Sequence, residues 1–391
     1  MRPDIDLLSG EFWGRNPHDA FTWMRQNAPL YWDGRVWGVS KHHDLKEIAR
    51  QPELFSNAAG IRPDSFPLPM MIDMDDPAHR DRRKLVNRGF TPRRVRESEA
   101  AVRAACDEII DAVCEQGECD FVTDIAAWLP MIMIGDALGV APGDRACLLR
   151  WSDDMLRGLV GTDGAAMERA SDAYMAYRDF AIEAIAARRA RARDDLLGIL
   201  VHAEVDGDRL DDESLIAESL LILIGGDETT RHVISGGMYQ LLSHPDEKQK
   251  LVDDPGRIPT AVEEMLRWVS PIKNMNRTVV RDVEFAGQSL KAGDKLLLLY
   301  PSANRDEDVF PDPFRFDVER QPNEHVAFGV GTHFCLGNSL ARLELVCMVE
   351  HVMRRLPDLE LVDPAEPAYR PANFISGYER MPVRFTPSRG G

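Results

Sequence analysis

The stretch from Phe328 to Gly337 constrains this chain more than any other. Cys335 lies in a loop with glycines six and four residues before it (Gly329, Gly331) and two after it (Gly337), and a helical pattern runs on from Asn338 to Cys347. Glycine reaches backbone conformations closed to other residues, so amide N–H groups can turn toward the sulfur and the chain can lie close against a flat ligand. A helix starting just past Cys335 aims its positive end at a thiolate. Two readings are open at this point. The cysteine is a buried structural residue in a tight turn, or its thiolate is the axial donor to a haem iron, where one protein sulfur suffices because the porphyrin fills the equatorial positions.

The totals narrow the setting. At 391 residues the chain has room for two average domains, but no linker, repeat or low-complexity tract divides it. Hydrophobic content of 44% suits a core large enough to bury a cofactor. A net charge of −18 argues against nucleic acid and against an anionic membrane surface as partners. The N-terminal residues lack the apolar core of a signal peptide. The longest apolar stretch, Ile125 to Gly135, is bounded by Asp124 and Asp136 and is too short to span a bilayer. The expectation is a cytoplasmic protein. The six cysteines have no paired metal-ligand spacing, and Cys106 and Cys114 read as small core residues in a helix.

A helix over about Pro17–Asn27 is followed by a hairpin, Leu30–Trp32 and Val36–Val39, turning at Asp33-Gly34. Helical text runs from His42 to Arg50. From Phe55 to Pro77 the chain is irregular and apolar, a length that marks a loop lining or covering a site. Next, His79 and Arg83 share one helix face, and His79–Arg96 carries eight Lys/Arg against one Asp. That local sign opposes the global one, so the segment reads as an anion site plus a docking patch for an acidic partner rather than a merely solvated helix. Helices are expected over about Glu97–Cys114, Gly143–Leu159 and Met167–Ala192, with Met155, Leu156, Leu159 and Val160 as core rather than pocket wall.

Ser214 to Ser235 reads as a long buried helix interrupted by Gly225 and Gly226, each costing about 1 kcal/mol against alanine. Asp227, Glu228, Thr229 and Thr230 follow directly. Threonine hydroxyls can divert ladder hydrogen bonds, so a widened turn near a ligand is expected there. Glu264 and Arg267 stand one turn apart, placed for a bidentate pair. Short strands are expected between Pro271 and Tyr300. A final hairpin is expected from Phe374–Gly377 and Pro382–Phe385.

In order along the chain, these segments resemble the cytochrome P450 family. The carriers are the Phe-x-x-Gly-x-His-x-Cys-x-Gly loop ending at Gly337, the Gly-Gly-x-Glu-Thr-Thr run from Gly225 to Thr230, the Glu264/Arg267 pair and the aromatic-proline segment around Phe314 and Phe316. The resemblance implies a single domain over 1–391, mainly α with a smaller β-rich region at about 28–40, 271–300 and 372–386. It implies haem b buried between a long kinked helix and the cysteine loop. Cys335 would be the iron ligand, with Phe328, Gly329 and Gly337 shaping its loop, and with Gly225 and Gly226 admitting the ligand from the helix. His79, Arg83, Arg277 and His333 would meet the propionates. Glu228 and Thr229 would relay protons as general acids. Glu264 and Arg267, joined by Arg320, would hold the cysteine loop.

The reaction implied is hydroxylation of an unactivated C–H bond with O2 as co-substrate. No flavin or nicotinamide fingerprint is visible, so a ferredoxin and its reductase would supply electrons, docking near Arg80, Arg82, Lys84, Arg88, Arg93 and Arg94. The expected pocket is hydrophobic: Ile61, Phe66, Leu68, Met70, Met71, Ile72, Ile222, Met275, Phe374 and Ile375. Within the family the chain resembles actinobacterial enzymes that oxidise the terminal methyl of the cholesterol or cholest-4-en-3-one side chain, on the segments Leu68–His79 and Lys273–Arg277. A fatty-acid or macrolide hydroxylase is the near competitor. A haem–thiolate sensor, which would not need Glu228 and Thr229, is the competitor from another class. A peroxide-driven hydroxylase usually lacks that acid–alcohol pair.

Overall fold

Asp211 caps the helix on which the molecule is centred: its side chain accepts from the Ser214 amide at 2.7 Å, and Asp212 and Glu213 follow in the first turn, where carboxylates favour the helix dipole. The central helix then runs uninterrupted from Asp212 to Ser243, through both mid-helix glycines, and stops before Pro245. It is apolar around most of its circumference, so it is buried on most faces. Gly236 and Gly237 let it lie close on the helix Ile258–Val269, since a Cβ at either would stand 2.8 Å or 2.7 Å from Val269 or Met265 side-chain atoms. The computed structural model describes residues 3–158, 164–205 and 207–389. Leu159 and Val160 lie outside these, while Met155 and Leu156 are both buried, Met155 within a helical core.

Helices Pro92–Asp111, Trp128–Ala137, Ile258–Val269 and Asn338–Arg355 pack around the central helix and share one large core with it. Cys106, Cys114 and Cys347 are fully buried there. Thr91 caps Pro92–Asp111, accepting from the Arg94 amide, with Pro92 at the first turn, so this helix begins five residues before the expected Glu97. Among the described residues, no helix is long and apolar enough to cross a membrane.

A five-stranded sheet flanks the helices in the order Leu30–Trp32, Trp37–Val39, Lys295–Leu299, Asn274–Val279, Phe55–Ser56. The expected hairpin at Asp33-Gly34 is present, with Leu30 opposite Val39. Leu296 to Leu299 are all fully buried. Leu297 and Leu299 pack toward Phe21 and Met24, and Leu296 and Leu298 toward Leu45 and Ile48, so the strand is covered on both faces. The C-terminal hairpin does not form as expected. Pro382–Arg384 pairs instead with Glu360–Leu361 and Glu118–Asp120, while Ile375 makes an isolated bridge to Ile272. These pairings join residues far apart in sequence, and local alternation carries no record of them.

Candidate active site

The loop before the cysteine helix (Asn338–Arg355) closes on itself. The Cys335 amide donates to the Phe328 carbonyl at 2.9 Å, and Asn338 Nδ2 donates to the Cys335 carbonyl at 2.8 Å. Gly329 and Gly331 adopt φ of 67° and 75°. A Cβ on Gly331 would also stand 2.4 Å from the Ala49 carbonyl oxygen, so only glycine fits there. Burial raises the Cys335 thiol pKa, opposed by the Gly337 amide, by the charges of Arg83 and Arg342 and by the Asn338 amide. A metal ion deprotonates a coordinating thiol outright. The groups that oppose burial here are the ones a bound thiolate needs.

Cys335 lines a cavity of about 1460 Å³, counting its mouth to solvent, whose other walls include the central helix, the strand Asn274–Val279 and the turn Met71–Asp73. Gly225 is exposed to this space, and a Cβ on it would meet nothing within 4 Å, as at Gly337. Gly226 also lines the cavity, and it lets the helix pack closely: a Cβ there would stand 2.5 Å from Ile134. Thr229 lies one turn beyond Gly225 on the cavity wall, and its hydroxyl donates to the Gly225 carbonyl at 2.7 Å. That is a diverted ladder carbonyl within a continuous helix.

Basic groups converge on the same cavity. The rings of His79 and His333 are 4.1 Å apart. Burial, together with His79, Arg277 and Arg83, drives the His333 pKa down to about 2, and burial also lowers His79, so both rings are neutral at pH 7. Arg277 is buried, and among the described residues its guanidinium makes one hydrogen bond, to the Asn276 carbonyl at 2.9 Å. Arg83 spans to the cysteine loop, donating to the Thr332 carbonyl at 3.2 Å and the Phe334 carbonyl at 2.5 Å. Tyr300 also lines the cavity beside Arg277. A buried arginine short of acceptors, two imidazoles in tilted contact and a phenol on the same wall make a set of donors suited to carboxylates. Together with the bare backbone at Gly225 facing the cavity that Cys335 lines, the residues present fit haem.

Glu228 does not line the cavity. It is fully buried beside Thr229, receiving Arg231 and, at 3.3 Å, Arg370, with His232 Nε2 3.0 Å away. Arg231 continues to Asp153 at 2.6 Å, and Arg370 lies 3.5 Å from Glu379. Asp153 and Glu379 are each about a third exposed, so this charge network runs from solvent to Glu228. Among the described lining residues, the one carboxyl is Glu344 on the cysteine helix, raised to about 8 by burial and by Asp227. Sequence reasoning missed it, though an acid on the buried face of that helix was a signal.

Of the expected pocket residues, Met71, Ile72, Ile222 and Met275 line the cavity. Phe66 and Leu68 do not: they are 89% and 51% exposed. The Asp73 carboxylate accepts from the amides of Ile61 and Leu68, both at 2.9 Å, and this closes a neck from which the proline-rich tip projects. Ile61, Met70, Phe374 and Ile375 are also absent from the lining. Phe374 lies under the Arg62 guanidinium at 5.3 Å, and Ile375 is held by its bridge to Ile272, which takes the place on the wall.

Glu264 and Arg267 are fully buried and joined through both carboxylate oxygens at 2.7 Å. Arg320 adds a contact to Glu264 at 3.2 Å. Arg267 also donates to the Asn304 carbonyl at 2.8 Å, and Asn304 Oδ1 takes the Val326 amide at 2.8 Å, two residues before Phe328. The neighbouring Glu263 grips Arg342 of the cysteine helix at 2.7 and 2.9 Å.

Residues 130–255 and 258–367 match the cytochrome P450 family. The chain is 57% identical to a steroid C26-monooxygenase of Mycobacterium tuberculosis (strain ATCC 25618 / H37Rv), over 99% of this chain and 98% of that one. It is 54% identical to a steroid C26-monooxygenase of Mycolicibacterium smegmatis, over 99% and 97%. The solved structure of Mycobacterium marinum cytochrome P450 CYP268A2 in complex with pseudoionone superposes with a TM-score of 0.92 at 34% identity, covering 98% of this chain and all of that one. The chain therefore belongs to the cytochrome P450 family and is a monooxygenase that carries haem b and consumes O2.

Proposed function

We propose that this enzyme hydroxylates the terminal carbon of a sterol side chain, that of cholesterol or cholest-4-en-3-one. The observation that carries the substrate class is the 57% identity, end to end, with a protein named for steroid C26 oxidation. The apolar wall of Met71, Ile72, Ile222 and Met275 supports it, since such a pocket offers a sterol tail contact and few polar anchors. Titrating the ferric protein with cholest-4-en-3-one is expected to shift the iron to high spin. No shift with the sterol, beside a clear shift with fatty acids, sinks the assignment.

Bound haem supplies the activation of O2. Cys335 Sγ would hold the iron, and the amides of Gly337 and Asn338 would steady its charge. His79, His333 and Arg277, which line the cavity with Tyr300, would meet the propionates. Arg83 fastens the helix Ala78–Val86 to the cysteine loop. The Thr229 proton is spent on the Gly225 carbonyl, so Oγ1 offers lone pairs to the cavity and can hold a water there. The acid behind that wall is Glu228, next to Thr229 in the helix, and its ion pairs with Arg231 and Arg370 continue to the partly exposed acids Asp153 and Glu379. In Thr229→Ala, reductant consumption is expected to continue while the fraction reaching product falls about tenfold or more. Thr229→Ser keeps the coupling. Unchanged coupling in the alanine variant rules out this role for Thr229.

Electrons come from a ferredoxin and its reductase docking on the basic segment around Ala78–Val86, close to the cysteine loop through Arg83. Arg82 is not part of that face, because it turns inward to Glu218. Arg80 and Arg88 are exposed and carry no ion pair among the described residues. Lys84, Arg93 and Arg94 pair with Asp81, Glu97 and Asp194, contacts weak enough at the surface to yield to a partner. The reaction is placed in the cytoplasm, where reduced ferredoxin is made.

A further inference from the structure

One carboxylate oxygen on the central helix holds two other segments. Glu218 is fully buried, and its Oε1 accepts from the Met71 amide at 2.7 Å and from Arg82 Nη1 at 3.3 Å. Its Oε2 has no partner among the described residues. Arg82 reaches on to Ser214 Oγ at 3.2 Å. Met71 opens the short turn Met71–Asp73, whose Met71 and Ile72 side chains line the cavity. The remainder of this loop is tied to other parts. Asp75 takes the Asn57 amide at 2.9 Å, and Asn276 holds Gly60 and Ile61 at 2.9 and 2.7 Å. Among the described residues, Glu218 to Met71 is the one hydrogen bond from residues 57–77 to the central helix.

A half-satisfied buried acid destabilises a core that an apolar side chain of similar volume would fill more favourably. Stability therefore does not explain Glu218. We infer that Glu218 is a positioning residue for the substrate pocket, drawing the Met71–Asp73 turn onto the central helix so that Met71 and Ile72 present a fixed wall. This rests on the reading of the cavity as the substrate site. Burial lifts the carboxyl to about 7 against Arg82 and the Met71 amide, and Oε1 can accept from that amide in either protonation state.

Amide hydrogen exchange on the haem-loaded protein tests the clamp without substrate. In Glu218→Leu, exchange across Met70–Met74 is expected to quicken about tenfold, the loss of one net hydrogen bond. Glu218→Gln keeps an oxygen acceptor and is expected to exchange like wild type, as does the Ile258–Val269 helix in both variants. Binding of cholest-4-en-3-one is expected to weaken about tenfold in the leucine variant and less than about threefold in the glutamine variant, with kcat at saturation kept within about twofold. Should Glu218→Leu fail to load haem, Met71→Pro removes the donor instead. Met70 before it is already extended (φ −119°, ψ 152°), which suits a following proline, and the same quickened exchange over Ile72–Met74 is expected. Unchanged exchange in the variant that loads haem overturns the clamp, even with the sterol bound normally by wild type. A glutamine variant as damaged as the leucine one overturns it as well. Quickened exchange in a protein that ignores sterols leaves the clamp standing and retires the substrate reading.

Discussion

Cys335→Ser is expected to abolish hydroxylation and to remove the thiolate-type Soret band from the ferrous–CO complex. The substitution changes one atom, and a serine fits the same loop, so the haem-free chain should differ in stability by under about 1 kcal/mol. What is lost is electronic. Electron donation from a thiolate favours O–O cleavage, and a neutral hydroxyl cannot replace it. The surroundings sharpen the expectation. The Gly337 and Asn338 amides and the Arg83 and Arg342 charges favour an anion at this atom, while burial opposes one. A hydroxyl, with a far higher pKa than a thiol, stays neutral under that balance. The haem-loaded protein should therefore also be less stable than wild type, because weaker haem binding adds less to the folded state. Purified Cys335→Ser protein that retains the thiolate-type band, or that turns over substrate normally, ends the assignment of Cys335 as the iron ligand.

The parts of the site legible in the sequence were those whose geometry is set by short spacing. Cys335 and its glycines, Gly225 with Thr229, and Glu264 with Arg267 are each local, and the loop or helix that carries them fixes where they stand. What stayed hidden depended on partners far along the chain. Phe66 and Leu68 read as pocket because they are apolar, but the Asp73 carboxylate closes the neck beneath them and turns them to solvent. Glu228 and Thr229 are neighbours in sequence, yet successive helical residues differ by about 100° in direction. One faces the cavity while the other faces Arg370, which lies 142 residues away. Arg82 read as one more surface charge until Glu218, 136 residues on, drew it inward. Charge patterning finds the basic helix and cannot say which of its members turn inside.

Glu264→Ala is expected to have the largest effect on stability of any single change considered. The Glu264 carboxylate takes Arg267 through two nitrogens, Arg320 at 3.2 Å, Asn323 at 3.1 Å and the Asp317 amide at 3.0 Å. Removing it leaves Arg267, fully buried, and Arg320, 8% exposed, without their counter-charge. An uncompensated buried charge of this kind costs about 3–5 kcal/mol, against a total stability of about 5–15 kcal/mol. The damage should reach the haem before the helices. Arg267 and Arg320 position the carbonyls of residues 304, 311, 312, 313 and 315, and Asn304 anchors Val326 at the mouth of the cysteine loop. Haem release in urea is therefore expected at lower denaturant than loss of helical signal, with both shifted down from wild type. Glu264→Gln keeps the shape and one acceptor oxygen, so it should fall between the two and load haem where the alanine variant does not. An alanine variant that holds haem to the wild-type urea concentration would show that the loop stands without this pair.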